Sequence, residues 1–115
     1  MDKALLIILA IVTNGANAAN AEFSIKRLLV EPGTYGGCAV AVSPSPTEFD
    51  ASCGINWLTA GCDGQNGRTR TEAQQTWELL QLAYVTGQTV FATFNGRNTA
   101  NGKCMITRLD LIKGQ

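Results

Sequence analysis

The residues of this chain best placed to do chemistry are four cysteines, Cys38, Cys53, Cys62 and Cys104. As thiolates they would be nucleophiles or zinc ligands; oxidised, they form two disulfides. None of the gaps between them is the short one that paired zinc ligands use, which disfavours a four-thiolate zinc site. Histidine is absent from the sequence, and this removes Ser-His-Asp and Cys-His catalysts, the commonest general base and most catalytic zinc sites. Carboxylates remain: Glu48 with Asp50, Asp63, Glu72, Glu78 or Asp110 could supply the pair that glycoside hydrolysis needs. Nothing in their spacing brings two of them together. The expectation is a protein that binds and does not catalyse, with no cofactor and no metal.

Which form the sulfurs take depends on the compartment. Lys3 gives a short basic start, and the nine residues from Ala4 to Val12 are apolar without interruption. Two Ala-x-Ala cleavage patterns follow, Ala16-Asn17-Ala18 and Ala19-Asn20-Ala21, so residues 1–21 read as a secretory signal peptide. The mature chain then begins at Ala19 or Glu22, and residues 22–115 form a single domain. A membrane span is the alternative reading, but it needs roughly 18 apolar residues. Export, to the periplasm and then beyond the cell, makes the cysteines a disulfide framework, which small secreted domains use to supplement a limited core.

Nine Lys and Arg balance nine Asp and Glu, and removing Asp2 and Lys3 leaves eight of each. A neutral chain offers no concentrated basic surface for nucleic acid or an anionic membrane. The pairs Lys26-Arg27 and Arg68 with Arg70 read as solvated surface. Gly33, Gly36 and Gly37 open a strand instead of a helix, so they are turn glycines and not a phosphate loop.

Four segments are rich in strand formers: Phe23 to Val30, Cys38 to Val42, Cys53 to Ala60 and Thr89 to Phe94. Lys103 to Ile112 makes a fifth, after a polar loop from Asn95 to Gly102. Turn signals separate the first three, at Glu31-Pro32-Gly33 and at Ser43-Pro44-Ser45-Pro46. The residues Thr71-Glu72-Ala73-Gln74 have the form of a capping box, and a helix from there places Ala73, Trp77, Leu80 and Tyr84 on one core-facing stripe that ends at Gly87.

Strand, strand, strand, helix, strand, strand is the order of an OB-fold, a five-stranded antiparallel barrel with its helix between strands three and four. An open α+β sheet with the helix on one face accommodates the same order. In the barrel, strands two and three are hairpin neighbours, which predicts Cys38 with Cys53. Strand three must also meet a strand from the second half, which predicts Cys62 with Cys104.

Three segments resemble the OB-fold B subunits of AB5 toxins, and within them the subtilase cytotoxin and typhoid-toxin binding subunits. These are Glu22-Phe23 with the strand it opens, Cys38 and Cys53 flanking a Ser-rich hairpin, and Leu82-Ala83-Tyr84-Val85-Thr86-Gly87-Gln88-Thr89-Val90. The stretch Trp57 to Arg70 is longer than its counterpart in that family, and the loop Asn95 to Gly102 lacks the family's aromatic character. The resemblance implies a homo-pentameric ring that binds host glycans, sialylated ones above all, and carries a separate catalytic A subunit. It implies a sugar contact near Ser24 without fixing a binding residue. A ring also needs an apolar patch, for which Leu28, Leu29, Val30, Leu109 and Leu111 are candidates. The contrasting expectation is a stand-alone periplasmic or secreted binding or inhibitor protein with the same fold.

Overall fold

The computed structural model describes residues 18–113. The basic start, the apolar run and the first two residues of the Ala16-Asn17-Ala18 motif lie outside the described residues. The protein is mainly β with one helix: β1 (Ala19–Glu31), β2 (Gly37–Ser43), β3 (Trp57–Thr59), α1 (Arg70–Thr86), β4 (Val90–Ala100) and β5 (Lys103–Leu111). Short 3-10 turns at Pro46–Glu48 and Gln65–Gly67 flank β3.

Strand β1 serves two ladders. Its first part, Ala19 to Phe23, pairs antiparallel with β4, and its second, from Ser24 onward, pairs antiparallel with β2. A register shift between Ile25 and Arg27 follows the first two rungs with β2, an extra residue of the kind that bends a strand and raises its twist. The strand opens at Ala19, three residues ahead of Glu22, and Ala21 is already buried. The remaining ladders are β2 with β3, β4 with β5, and β3 with β5, so the strands follow one another in the cyclic order β1-β2-β3-β5-β4. The β3–β5 ladder is parallel, not antiparallel as expected, and is two rungs long: Leu58 opposite Cys104, and Thr59 opposite Met105.

Alternation sorts the core. Ala21 and Phe23 of β1, Val40 and Val42 of β2, Val90, Ala92 and Phe94 of β4 and Ile106 of β5 turn inward and meet Leu80 of the helix. Phe23 is the hub, packing edge-on against Phe49 with ring centres 5.9 Å apart and at a tilt against Phe94 at 5.6 Å.

The helix starts two residues earlier than its sequence signal. Thr69 is the N-cap: its hydroxyl accepts from the Glu72 amide at 3.1 Å, and the Glu72 carboxylate accepts from the Thr69 amide at 2.9 Å. Thr71 fits the same motif in sequence, but the reciprocal pair closes around Thr69. Gly87, at φ 75°, ends the helix in the left-handed conformation that an L side chain resists. Ala73, Leu80 and Ala83 are the buried positions, and the two alanines let the helix lie close to the strands. Trp77 is half-buried and Tyr84 is 46% exposed, so the expected aromatic core stripe belongs to the flank of the helix.

Strand β4 runs on to Ala100, through most of the expected polar loop, with its pairing to β5 interrupted between Asn95 and Thr99. Strand β3, by contrast, keeps only three of the residues expected of it.

The disulfides join Cys38 to Cys62 and Cys53 to Cys104. Both expected pairings are therefore corrected, and strand direction gives the reason. Because β2 and β3 are antiparallel, the start of β2 lies beside the exit of β3, which brings Cys38 to Cys62. Because β3 and β5 are parallel, the entrance side of β3, where Cys53 lies, faces the start of β5 and Cys104.

Candidate functional site

The carboxylates that could have supplied a catalytic pair are largely occupied with structure. Asp63 accepts from the Gly33 amide at 2.8 Å and ties the loop after β3 to the β1–β2 turn. Asp50 accepts from the Ser52 amide and hydroxyl and from the Gly96 amide at 2.9 Å, joining the segment before β3 to the interrupted part of β4. The Ser52 hydroxyl and amide hold the Asp50 carboxyl below its ordinary range against the opposing effect of burial, with a lesser contribution from the Gly96 amide. Glu72 caps the helix, its carboxyl lowered first by the Thr69 amide. Asp110 pairs with Arg108 at 3.1 Å on the exposed face of β5, and Glu48 and Glu78 point to solvent. Asp50 does lie near Cys53 and Cys104, but both sulfurs are consumed in the disulfide and offer no thiolate.

One open cleft of about 460 Å³ gathers polar groups from distant parts of the chain. Asn66, Gly67 and Arg68 come from the loop before α1; Glu72, Gln75, Thr76 and Leu79 come from one face of the helix. Asn98 comes from the interrupted part of β4, and Met105, Thr107, Arg108 and Leu109 come from β5. Its lining is apolar at Leu79, Met105 and Leu109, and otherwise made of amides, hydroxyls and the charged Arg68, Glu72 and Arg108.

Arg68 builds one wall. Its guanidinium donates to the Ala60 carbonyl at 3.4 Å, the Thr76 hydroxyl at 2.9 Å and the Ile106 carbonyl at 2.5 Å. The Thr76 hydroxyl in turn donates to the Glu72 carbonyl at 3.1 Å. Burial pulls the Arg68 guanidinium below its ordinary value, with the Glu72 carboxylate pulling back, and an arginine so placed stays charged. Arg68 is thus a structural cation whose donors are largely spent, and Arg108 is the more exposed cation of the cleft.

The sequence singled out Arg68 only as surface charge, and it did not single out Gln75, Asn98 or Arg108. No local signal marks these three, because the cleft is assembled from four separated stretches of chain. The expected contact at Ser24 lies elsewhere, half-buried on β1 opposite Ser43, and Phe23 beside it is core. Lys26 and Arg27 are exposed, and Arg27 lies over the Trp57 ring at 5.6 Å. Of the expected ring-patch residues, Val30 is 65% exposed, while Leu28, Leu109 and Leu111 pack on the core. The larger apolar exposure is on the helix, at Val85 (80%) and Leu82 (48%).

Among the described residues no helix is long and apolar enough to cross a membrane. Comparison with protein-family models, curated proteins and solved structures found no match to this chain.

Proposed function

We propose that this chain is an exported glycan-binding subunit of the AB5 type, an OB-fold barrel that assembles as a pentameric ring and carries a separate catalytic chain to sialylated host glycans. Support for the fold comes from the cyclic strand order β1-β2-β3-β5-β4 with the helix between β3 and β4, which is the arrangement of an OB-fold. Two disulfides suit an oxidising compartment.

The observation that carries the binding reading is the open cleft between α1, β4 and β5, whose lining mixes amides, hydroxyls, charged groups and apolar side chains. A sugar ring presents hydroxyls at its edge and C–H groups on its faces. Asn98 and Gln75 suit the hydroxyls, the apolar side chains of Leu79, Met105 and Leu109 suit a face, and Arg108 can exchange Asp110 for a glycan carboxylate. No aromatic ring is among the lining residues, so hydrogen bonds instead of stacking supply the affinity. Val85 and Leu82 of the helix and Val30 of β1 are the apolar groups a ring would cover.

Binding of the oxidised mature protein to an array of matched sialylated and unsialylated glycans tests this reading, with sedimentation reporting the ring. Binding confined to one glycan class on a pentamer supports it. A folded monomer that binds nothing on the array leaves the stand-alone periplasmic or secreted binding or inhibitor protein as the better account.

A further inference from the structure

The sequence holds four Asn-Gly pairs, of which Asn66-Gly67, Asn95-Gly96 and Asn101-Gly102 fall among the described residues. In such a pair the glycine nitrogen can attack the asparagine side-chain carbonyl carbon. A C–N bond forms, ammonia leaves, and water opens the resulting succinimide to aspartate or isoaspartate. The small glycine permits the approach, but the fold decides whether the two groups are free to meet.

At Asn95 they are not. The Gly96 nitrogen, which would be the nucleophile, donates to Asp50 Oδ2 at 2.9 Å. The Asn95 side-chain oxygen accepts from the Arg97 amide at 2.9 Å and the Asn98 amide at 3.2 Å, which fixes its carbonyl. Ser52 packs so tightly on Gly96 that a Cβ there would overlap its hydroxyl. Neither Asn66 nor Asn101 has such restraints, and of the two only Asn66 lines the cleft. Both Asn66 and Gly67 are exposed, and nothing lies within 4 Å of where a Cβ on Gly67 would stand. The side chain makes one contact at the limit of a hydrogen bond, 3.5 Å to the Thr99 carbonyl. Asn66 is also held at φ 56°, a conformation from which a non-glycine residue gains by moving.

We propose that Asn66 is a site of spontaneous deamidation in the lining of the cleft, and that the Asp50 contact to Gly96 keeps Asn95 intact. The reaction converts a neutral amide into a carboxylate two residues from Arg68 and in the same lining as Glu72, so the aged protein has a more acidic cleft. The modification stands independently of what the cleft binds. Its effect on a sialylated ligand, weaker binding through like-charge repulsion, rests on the proposed function.

The test is peptide mapping by mass spectrometry of the oxidised protein after incubation at mildly alkaline pH, beside the reduced, denatured chain under the same conditions. In the folded protein Asn66 gains the mass of an amide-to-acid conversion, with isoaspartate present, while Asn95 reacts at least about tenfold more slowly, equivalent to an opening of ~1.4 kcal/mol before it can react. In the denatured chain the difference between them disappears. Equal rates at Asn66 and Asn95 in the folded protein, or an Asn66 that stays intact while the denatured chain reacts, would overturn the proposal. Asp50→Ala, checked for folding, should raise the Asn95 rate and leave that of Asn66 unchanged. Binding of Asn66→Asp to a sialylated glycan is read separately: unchanged binding there would count against the ligand reading alone.

Discussion

Arg68 reaches the carbonyl oxygen of Ile106 at the place where the β3–β5 ladder gives out. The last rung is Thr59 opposite Met105, and the next would set Ala60 against Ile106. The strands diverge there, and the Arg68 guanidinium accepts the role of the missing rung by donating to both of those carbonyls. The same group holds Thr76, so one side chain joins β3, β5 and α1 along the seam that would otherwise open.

Arg68→Met keeps the aliphatic stem and removes the donors to the Ala60 and Ile106 carbonyls, while the Thr76 hydroxyl keeps its bond to the Glu72 carbonyl. The expected loss of unfolding free energy is about 2–3 kcal/mol, since buried acceptors stripped of a charged partner cost about that much. In a domain of this size such a loss lowers Tm by roughly 10 °C or more. Arg68→Lys should recover part of it. A denaturation midpoint for Arg68→Met equal to that of the parent would contradict this role.

Asp50 makes stability depend on acid. Its folded carboxyl is held below the ordinary range by Ser52 and Gly96, so the stability it contributes is present above the unfolded carboxyl pKa of about 4 and is lost as pH falls through the lower folded value. Asp50→Ala should therefore be less stable than the parent at neutral pH, and the gap should narrow as acid protonates the parent's carboxyl. Denaturation midpoints across this range measure it; a gap that stays constant into strong acid would contradict the assignment.

Non-reducing peptide mapping should recover Cys38 linked to Cys62 and Cys53 linked to Cys104, with neither Cys38–Cys53 nor Cys62–Cys104 present. Their sequence separations of 24 and 51 put the loss on replacing either pair with serine at about 3–4 kcal/mol. The larger loss should follow removal of Cys53 and Cys104. A mapped Cys38–Cys53 link would overturn the strand directions from which the pairing follows.

How far the sequence could be read differs by element. The element order was legible because apolar alternation and turn residues are local signals, and Gly87 marked the helix end by its chemistry. Disulfide pairing depends on the relative direction of β2, β3 and β5, and the extent of β3 is not legible because Cys53 to Asn56 is continuous with strand-forming residues but lies in the turns that approach the strand. Two threonines could each open a capping box, and only the closed geometry selects Thr69. Trp77 and Tyr84 have the spacing of a core stripe, yet Ala73 and Ala83 bring the helix too close to the strands to bury both rings. The cleft was illegible because Gln75, Asn98 and Arg108 come from separate elements and carry no motif.

The proposed export predicts a mature N-terminus at Ala19. Cleavage after Ala21 would remove Ala19, Asn20 and Ala21, which pair with Phe94, Thr93 and Ala92, together with the Asn20–Thr93 side-chain hydrogen bond. Intact-mass measurement of the protein recovered from an export-competent host distinguishes the two; a chain beginning at Glu22 would mean that β1 forms without its first three residues.

The central claim is that the α1–β4–β5 cleft binds a glycan, and glycan-array binding of the parent beside a Gln75→Ala, Asn98→Ala double variant tests it most directly. Both residues lie at the surface of the cleft, so the variant should keep the parent's denaturation midpoint. Binding of the parent to sialylated members, lost or weakened at least tenfold in a folded variant (about 1.4 kcal/mol), is the predicted result. Equal binding by both proteins would move the site away from the cleft, and no binding by either would contradict the glycan reading.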